Sequence, residues 1–218
     1  MPLLPPSRAG SIKGSSRLEI LFEDDWILVI DKPAGQHTQG TAQGDAGSVI
    51  AEAEESFGRQ IRIVHRLDRD ASGLLVLAKN KRVAGMLGRA LAEHLIYREY
   101  RAVVGVPLQL QSKGCIEKAL KWSGGRCWVD PNGSSAKTNY EVIGRTGARS
   151  ELAVTLETGR MHQIRVHLAA TLGPIEGDRK YGGAPADKLA LRAVRLDLEH
   201  PHTGQKLSFQ VTHDLTIL

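Results

Sequence analysis

The sequence predicts an α+β fold built on a mixed, largely antiparallel central sheet with a few flanking helices. Three observations carry that expectation. Short β-rich runs recur along most of the chain. Helical spacing shows in only a few segments. Strands and helices do not alternate in the regular way that a doubly wound nucleotide fold requires.

The elements follow in order. Met1 to Arg17 is rich in Pro, Gly and Ser and carries Arg8, Lys13 and Arg17 without an acidic residue, so it reads as a flexible basic tail. Order is expected from Leu18, where Leu18–Phe22 and Trp26–Ile30 form a hairpin around Glu23-Asp24-Asp25. Lys32-Pro33-Ala34-Gly35 is a turn, and Gln36–Gly47 has too little apolar pattern to be more than a loop. Ser48–Phe57 fits a short helix that Gly58 stops. Ile61–Val64 and Gly73–Ala78 are strands on either side of the polar excursion Arg66–Ser72. Lys81–His94 is an amphipathic helix, with Val83, Met86, Leu87, Ala90 and Leu91 on one face. Tyr97–Val106 and Gly114–Glu157 are β with turns at Ser123-Gly124-Gly125 and Asp130-Pro131-Asn132-Gly133. One helix is expected around His162–Leu172. Leu189–Leu198 and Lys206–Thr212 close the chain as strands joined by His200-Pro201-His202-Thr203-Gly204. No repeat and no linker divides residues 18–218, which are expected to form one domain.

Composition narrows the function classes. The 218 residues are 41% hydrophobic and 24% charged, ordinary for a globular protein. Lys and Arg exceed Asp and Glu by 29 to 24, a surplus compatible with a polyanionic partner but also common in basic enzymes. Two cysteines, Cys115 and Cys127, are too few for a disulfide framework or a zinc site. No run approaches the roughly 20 apolar residues of a membrane span, and the N-terminus lacks a secretory core. A cytoplasmic location, no membrane and no metal are expected.

Phosphate loops, dinucleotide turns, zinc helices and serine elbows are all missing from the sequence. His162 and His167 are five residues apart, about 140° around a helix, and make poor joint metal ligands. Two segments stand out. In His65-Arg66-Leu67-Asp68-Arg69-Asp70-Ala71-Ser72-Gly73 a charged loop is wedged between two apolar strands, where rigid flanks can hold a reactive group. A solvated hairpin tip would have the same pattern. In Gly159-Arg160-Met161-His162-Gln163-Ile164-Arg165-Val166-His167-Leu168, His162 and Arg165 share a helix face and could reach one point. A basic, solvated helix face would also fit. Were the two segments to meet, Arg165 would keep Asp68 ionised and nucleophilic.

At these residues the chain resembles the RluA-type family of RNA pseudouridine synthases. The His65–Leu75 run looks like that family's catalytic loop, with Asp68 at its aspartate. Glu23–Gly35 resembles the first motif, Arg98-Glu99-Tyr100-Arg101-Ala102 the strand bearing the active-site tyrosine, and Gly159–Leu168 the third motif. Pro174-Ile175-Glu176-Gly177-Asp178 with Lys180-Tyr181-Gly182 resembles its trailing turn, and Leu196–Gly204 the closing strand and turn. Five ordered blocks thus span about Leu18 to Val211. Ala71 stands where threonine is common, Leu172-Gly173-Pro174 replaces Gly-His-Pro, Arg192 replaces a frequent histidine, and Gln36–Gly40 departs from the first motif's continuation.

The resemblance implies the pseudouridine synthase fold and a catalytic domain without the N-terminal S4-type domain that many members carry. It also implies isomerisation of uridine in a ribosomal RNA or tRNA stem-loop by a monomer that needs no cofactor. Asp68 would be the nucleophile on a flipped-out uridine, acting at the anomeric carbon or through a glycal. Tyr100 would stack on the uracil and serve as base, and Arg165 would pair with Asp68. Arg66, Arg69, Arg160, His162 and Gln163 would contact RNA, with phosphate attraction also from Arg62, Lys79 and the tail. Two other classes compete: an RNA-binding protein without turnover, and a glycoside or nucleoside hydrolase, which ordinarily needs two carboxylates at a defined separation.

Overall fold

The computed structural model describes residues 18–41, 44, 46–109 and 112–212, which form two compact units, and the basic tail lies outside the described residues. The first unit comprises residues 18–96 with 198–207, the second 97–197 with 208–212. The observed class is α+β, with largely antiparallel pairing and three helices among the described residues.

In the first unit, β1 (Glu19–Glu23) and β2 (Ile27–Lys32) pair antiparallel. Asp24 makes the turn between them by accepting from Trp26 N and Ile27 N at 2.7 and 2.8 Å. All six residues of β2 are buried. That burial explains its unbroken apolar run, which ends on Asp31 and Lys32. Helix α1 (Val49–Phe57) starts at Ser48, whose hydroxyl accepts from Ala51 N, and stops at Gly58 in a left-handed conformation at φ 59°. β3 (Arg62–Ile63) and β4 (Ser72–Ala78) bracket the expected catalytic loop, and β4 pairs with both β2 and β3. Helix α2 (Lys81–Ala92) is capped by Asn80 and buries Val83 and Leu87. Among the described residues no helix is long and apolar enough to cross a membrane.

The second unit opens with β5 (Tyr97–Val104), followed by β6 (Lys113–Glu117) and the two-stranded hairpin of β7 (Leu120–Ser123) and β8 (Arg126–Val129). β9 (Lys137–Thr146) and β10 (Arg149–Leu156) follow, then the short helix α3 (Gln163–Ala169), β11 (Leu191–Glu199) and β12 (Lys206–Gln210). Within this unit the strand order is β11, β5, β10, β9, β6, every neighbour antiparallel. The turn from β11 to β12 is counted with the first unit. There His200 Nε2 lies 2.6 Å from Asp24 and His202 stacks on Trp26 with ring centres 4.0 Å apart.

The third helix is shorter than the expected His162–Leu172. Its last turn tightens around one acceptor: Thr171, Leu172 and Gly173 N–H groups all reach the Leu168 carbonyl, at 2.8–3.1 Å.

Candidate active site

Asp68 sits in the loop between β3 and β4, half-buried between buried Leu67 and exposed Arg69. The backbone is gripped on both sides of it by the turn that follows β2. On one side, Thr38 Oγ donates to the Leu67 carbonyl at 2.8 Å and accepts from Leu67 N–H at 3.2 Å. On the other, the Arg69 carbonyl accepts from Gly35 N–H at 2.8 Å and from Lys32 Nζ at 3.1 Å. The Ala71 N–H closes a turn onto the Asp68 carbonyl at 3.2 Å. With both neighbours tied down, the backbone that carries the Asp68 carboxylate is fixed in place.

Lys32 is the unusual member. Its side chain is fully buried at the end of β2, with Nζ donating also to the Pro33 and Gln36 carbonyls, each at 2.8 Å. Burial pulls its pKa down to about 8, and the negative charges of Asp68 and Asp70 oppose that fall. Lys32 therefore places a cation in the electrostatic field of Asp68 as well as holding the loop.

The remaining loop residues divide by exposure. Arg66 is exposed, and His65 is buried with Nε2 accepting a long 3.4 Å bond from Val76 N–H. Arg69 is exposed and pairs with Asp70 at 2.8 Å, so much of its charge is offset locally. Arg62 is exposed and hydrogen-bonded to Gln60. Lys79 does not fit the expected phosphate role. It is 4% exposed, ion-paired with Glu23, and lies over the Phe57 ring at 4.6 Å, which makes it a structural cation.

The second unit carries the other expected residues. Tyr100 lies in mid-β5 between Val154 of β10 and Ala193 of β11, and is 5% exposed. Arg165, on α3, makes a two-pronged pair with Asp178: Nε to Oδ2 and Nη2 to Oδ1, both 2.8 Å, in a buried setting. Asp178 Oδ1 also accepts from the Lys180 and Tyr181 N–H groups, so the pair is built into the turn itself. The Tyr181 ring lies 5.1 Å from the Arg165 guanidinium, and His162 Nδ1 lies 2.7 Å from Tyr181 Oη. His162 and Arg165 thus converge on one residue, Tyr181, as their three-residue spacing allows. Burial raises the pKa of the Tyr181 phenol and keeps it protonated.

His162 holds a left-handed backbone at φ 52°, uncommon outside glycine, and immediately precedes α3. Gln163, expected among the RNA contacts, is 2% exposed. Its Oε1 accepts from Thr158 Oγ and Arg160 N–H, and its Nε2 donates to the Lys137 carbonyl and Thr138 Oγ. Any part it plays at an RNA surface is therefore indirect, through the backbone of exposed Arg160. His167 is likewise internal, between Thr138 Oγ and the Lys118 carbonyl at 2.9 Å each, and burial lowers its pKa. Sequence reasoning gave Lys32, Thr38, Asp178 and Tyr181 no role. Only Lys32 left a readable signal, a lysine closing a fully buried strand just past its apolar run.

Comparison with known proteins addresses the same segments. The family model for RNA pseudouridylate synthase matches residues 26–170, which include Asp68, Tyr100 and Arg165. A ribosomal large subunit pseudouridine synthase D of Nitrosomonas europaea is 36% identical over 212 residues, 88% of this chain and 61% of that relative. An uncharacterized RNA pseudouridine synthase of Bacillus subtilis is 36% identical over 216 residues, 93% of this chain and 71% of that one. The chain therefore spans three-fifths to seven-tenths of these two relatives' length. The solved human RNA pseudouridylate synthase domain containing 1 superposes with a TM-score of 0.76, at 23% identity over 92% of this chain and 85% of that one, and shares the fold. By the family match and the Bacillus relative together, the chain belongs to the RNA pseudouridylate synthase family, in the RluA-type group that its motifs resemble.

Proposed function

We propose that this chain isomerises uridine to pseudouridine in RNA, with ribosomal RNA as substrate and Asp68 as nucleophile. The observation that carries the proposal is the double clamp on Asp68, from Thr38 at Leu67 and from Lys32 and Gly35 at Arg69, at the position of the family's aspartate. The large-subunit ribosomal RNA named for the Nitrosomonas relative supports the substrate class.

The chemistry is a rearrangement. The bond from the ribose anomeric carbon to uracil N1 breaks, the uracil turns, and a bond to C5 forms. C5 loses its proton and N1 gains one. Nothing is oxidised or reduced, so a carboxylate nucleophile and a proton acceptor suffice and no cofactor is assigned. A stacked uridine is out of reach, and turning it out of the helix costs a few kcal/mol. Arg66, exposed next to the clamped loop, is assigned to the vacated position or the neighbouring phosphate. Tyr100 is assigned to stack on the uracil and, on the glycal route, to take the ribose C2′ proton and return it once the bond to C5 has formed. Arg165, oriented by Asp178 through its Nε and Nη2, is assigned as the counter-ion of Asp68. Arg69, Arg160 and His162 contact the RNA, with Gln163 holding Arg160 in place. The protein is proposed to act as a cytoplasmic monomer.

Mapping pseudouridines in total RNA from cells with and without this protein tests the reading. The expected result is the loss of one or a few defined pseudouridines from ribosomal RNA, restored by the wild-type gene. An unchanged map in all RNA classes would overturn the proposal, and loss confined to tRNA would overturn the substrate class.

A further inference from the structure

The β7–β8 hairpin forms a small sheet of its own, and the alternation of its strands gives it two unlike faces. Leu120 faces Val129 and Trp122 faces Cys127 on one side; Lys121 faces Trp128 and Ser123 faces Arg126 on the other. At its base the first face is ordinary core, with Leu120 and Cys127 buried against Ala136 and Val166, and Tyr181 packed alongside. Toward the tip that changes. Trp122 continues the same face but is 45% exposed, held edge-on by His162 with ring centres 5.3 Å apart at 84°. Beside it runs a groove of about 400 Å³, lined by Trp122, Met161, Arg160, Lys121, Asn132 and Ser134.

An indole left this open on a rigid hairpin is unusual, since most tryptophans are largely buried. Its charged surroundings indicate what it meets. Arg160 donates only to the Ser135 carbonyl and its own helix start, Lys180 donates to the Gly125 carbonyl, and Arg126 lies over the Tyr181 ring at 5.8 Å. None of these three cations has a carboxylate partner among the described residues, whereas Lys113, Lys121 and Lys137 in the same stretch all do. A flat aromatic face among unpaired cations matches a base and its phosphates: the base stacks and the cations take the backbone.

We propose that Trp122, with Arg160 lining its groove and Arg126 and Lys180 at the turn of the hairpin, is a stacking platform for one unpaired base of the RNA substrate, distinct from the uridine that reacts. The proposal rests on the RNA isomerase reading and adds a substrate contact to it. It also specifies the RNA: the target carries a single-stranded nucleotide that can be splayed onto the protein.

The test uses the full chain, a five-residue oligouridylate, and unmodified large-subunit ribosomal RNA transcribed in vitro. Oligouridylate affinity is read by filter binding in every variant, with tryptophan quenching read in the wild-type chain, and KM and kcat are read on the transcript. Trp122→Ala is expected to weaken oligouridylate binding and raise KM by about tenfold, in line with the loss of one stacked base, with kcat within about twofold. Trp122→Phe recovers most of the affinity because it restores a π-face. Trp122→Leu does not, although it keeps apolar bulk against His162. Trp128→Ala, on the opposite face, leaves both constants unchanged. Wild-type KM and binding in both Trp122→Ala and Trp122→Leu would overturn the platform, and would leave the exposed indole as a protein-docking feature. Equal losses in Trp122→Phe and Trp122→Ala would overturn stacking as the cause. Failure of the isomerase reading looks different: the wild-type chain would quench on oligouridylate but form no pseudouridine in any transcript.

Discussion

A lysine ammonium with no exposed surface needs acceptors and compensating charge. Lys32 has three carbonyls around Nζ and the carboxylates of Asp68 and Asp70 within electrostatic reach. Its pKa of about 8 lies below the ordinary 10.5, so between those values the unfolded chain binds the extra proton. For this group alone, stability rises with pH across that window while the cation beside Asp68 is lost. Turnover is therefore expected to decline above about pH 8 without any drop in melting temperature, measured as pseudouridine formed per minute alongside thermal unfolding. Lys32→Met is expected to lower kcat by at least tenfold and to loosen the loop, since the Pro33 and Gln36 carbonyls lose the Lys32 donor and the Arg69 carbonyl keeps only Gly35 N–H. Thr38→Val removes both bonds to Leu67 while nearly preserving shape. A fall in kcat of about five- to tenfold with unchanged RNA affinity is expected from steady-state kinetics. The Asp68 loop was legible in the sequence as a family resemblance because most of the motif around it is present, Ala71 excepted. Thr38 and Gly35, which help clamp its loop, were not, because they act through backbone groups and leave no pattern of their own.

At the scale of elements, the strands and helices that follow simple periodicity were readable. Helix α1 runs to the expected Phe57 and stops at the expected Gly58, and the β7–β8 hairpin turns at the expected glycines. The third motif shows where local reading ends. Its helical spacing suggested a longer helix with exposed polar residues, yet Gln163, Arg165 and His167 are all buried. Each is satisfied by something distant in sequence: Thr138, Asp178 and the Lys118 carbonyl. Asp178 depends in turn on Gly177, at φ 75°, where a Cβ would lie 2.1 Å from the Lys188 carbonyl. Gly177→Ala is expected to cost about 1–2 kcal/mol for the left-handed backbone alone, and more for the clash. In an activity assay it should act like a partial loss of Arg165, with kcat falling more than KM rises. A wild-type melting temperature and kcat would show that the turn does not hold the pair.

For the molecule as a whole, the formal charge of +5 is a weak signal that the arrangement of charges makes specific. Some cations are turned inward: Lys79 is paired with Glu23, and Arg165 is held by Asp178. Arg66, Arg160, Arg126 and Lys180 are the ones assigned to phosphate. With three to four such contacts, at a slope of about −0.7 per contact, RNA affinity should fall roughly 20- to 50-fold between 50 and 200 mM salt. Arg160→Gln should flatten that slope by about 0.7, as read from filter binding. The central claim, that Asp68 drives an isomerisation and not a hydrolysis, is tested most directly with a ribosomal RNA transcript tritiated at uracil C5. The account predicts tritium release in equal amount to pseudouridine formed, no free uracil, and no release by Asp68→Asn, which still binds the RNA. Undiminished tritium release by Asp68→Asn, or free uracil without tritium release by the wild-type chain, would contradict it.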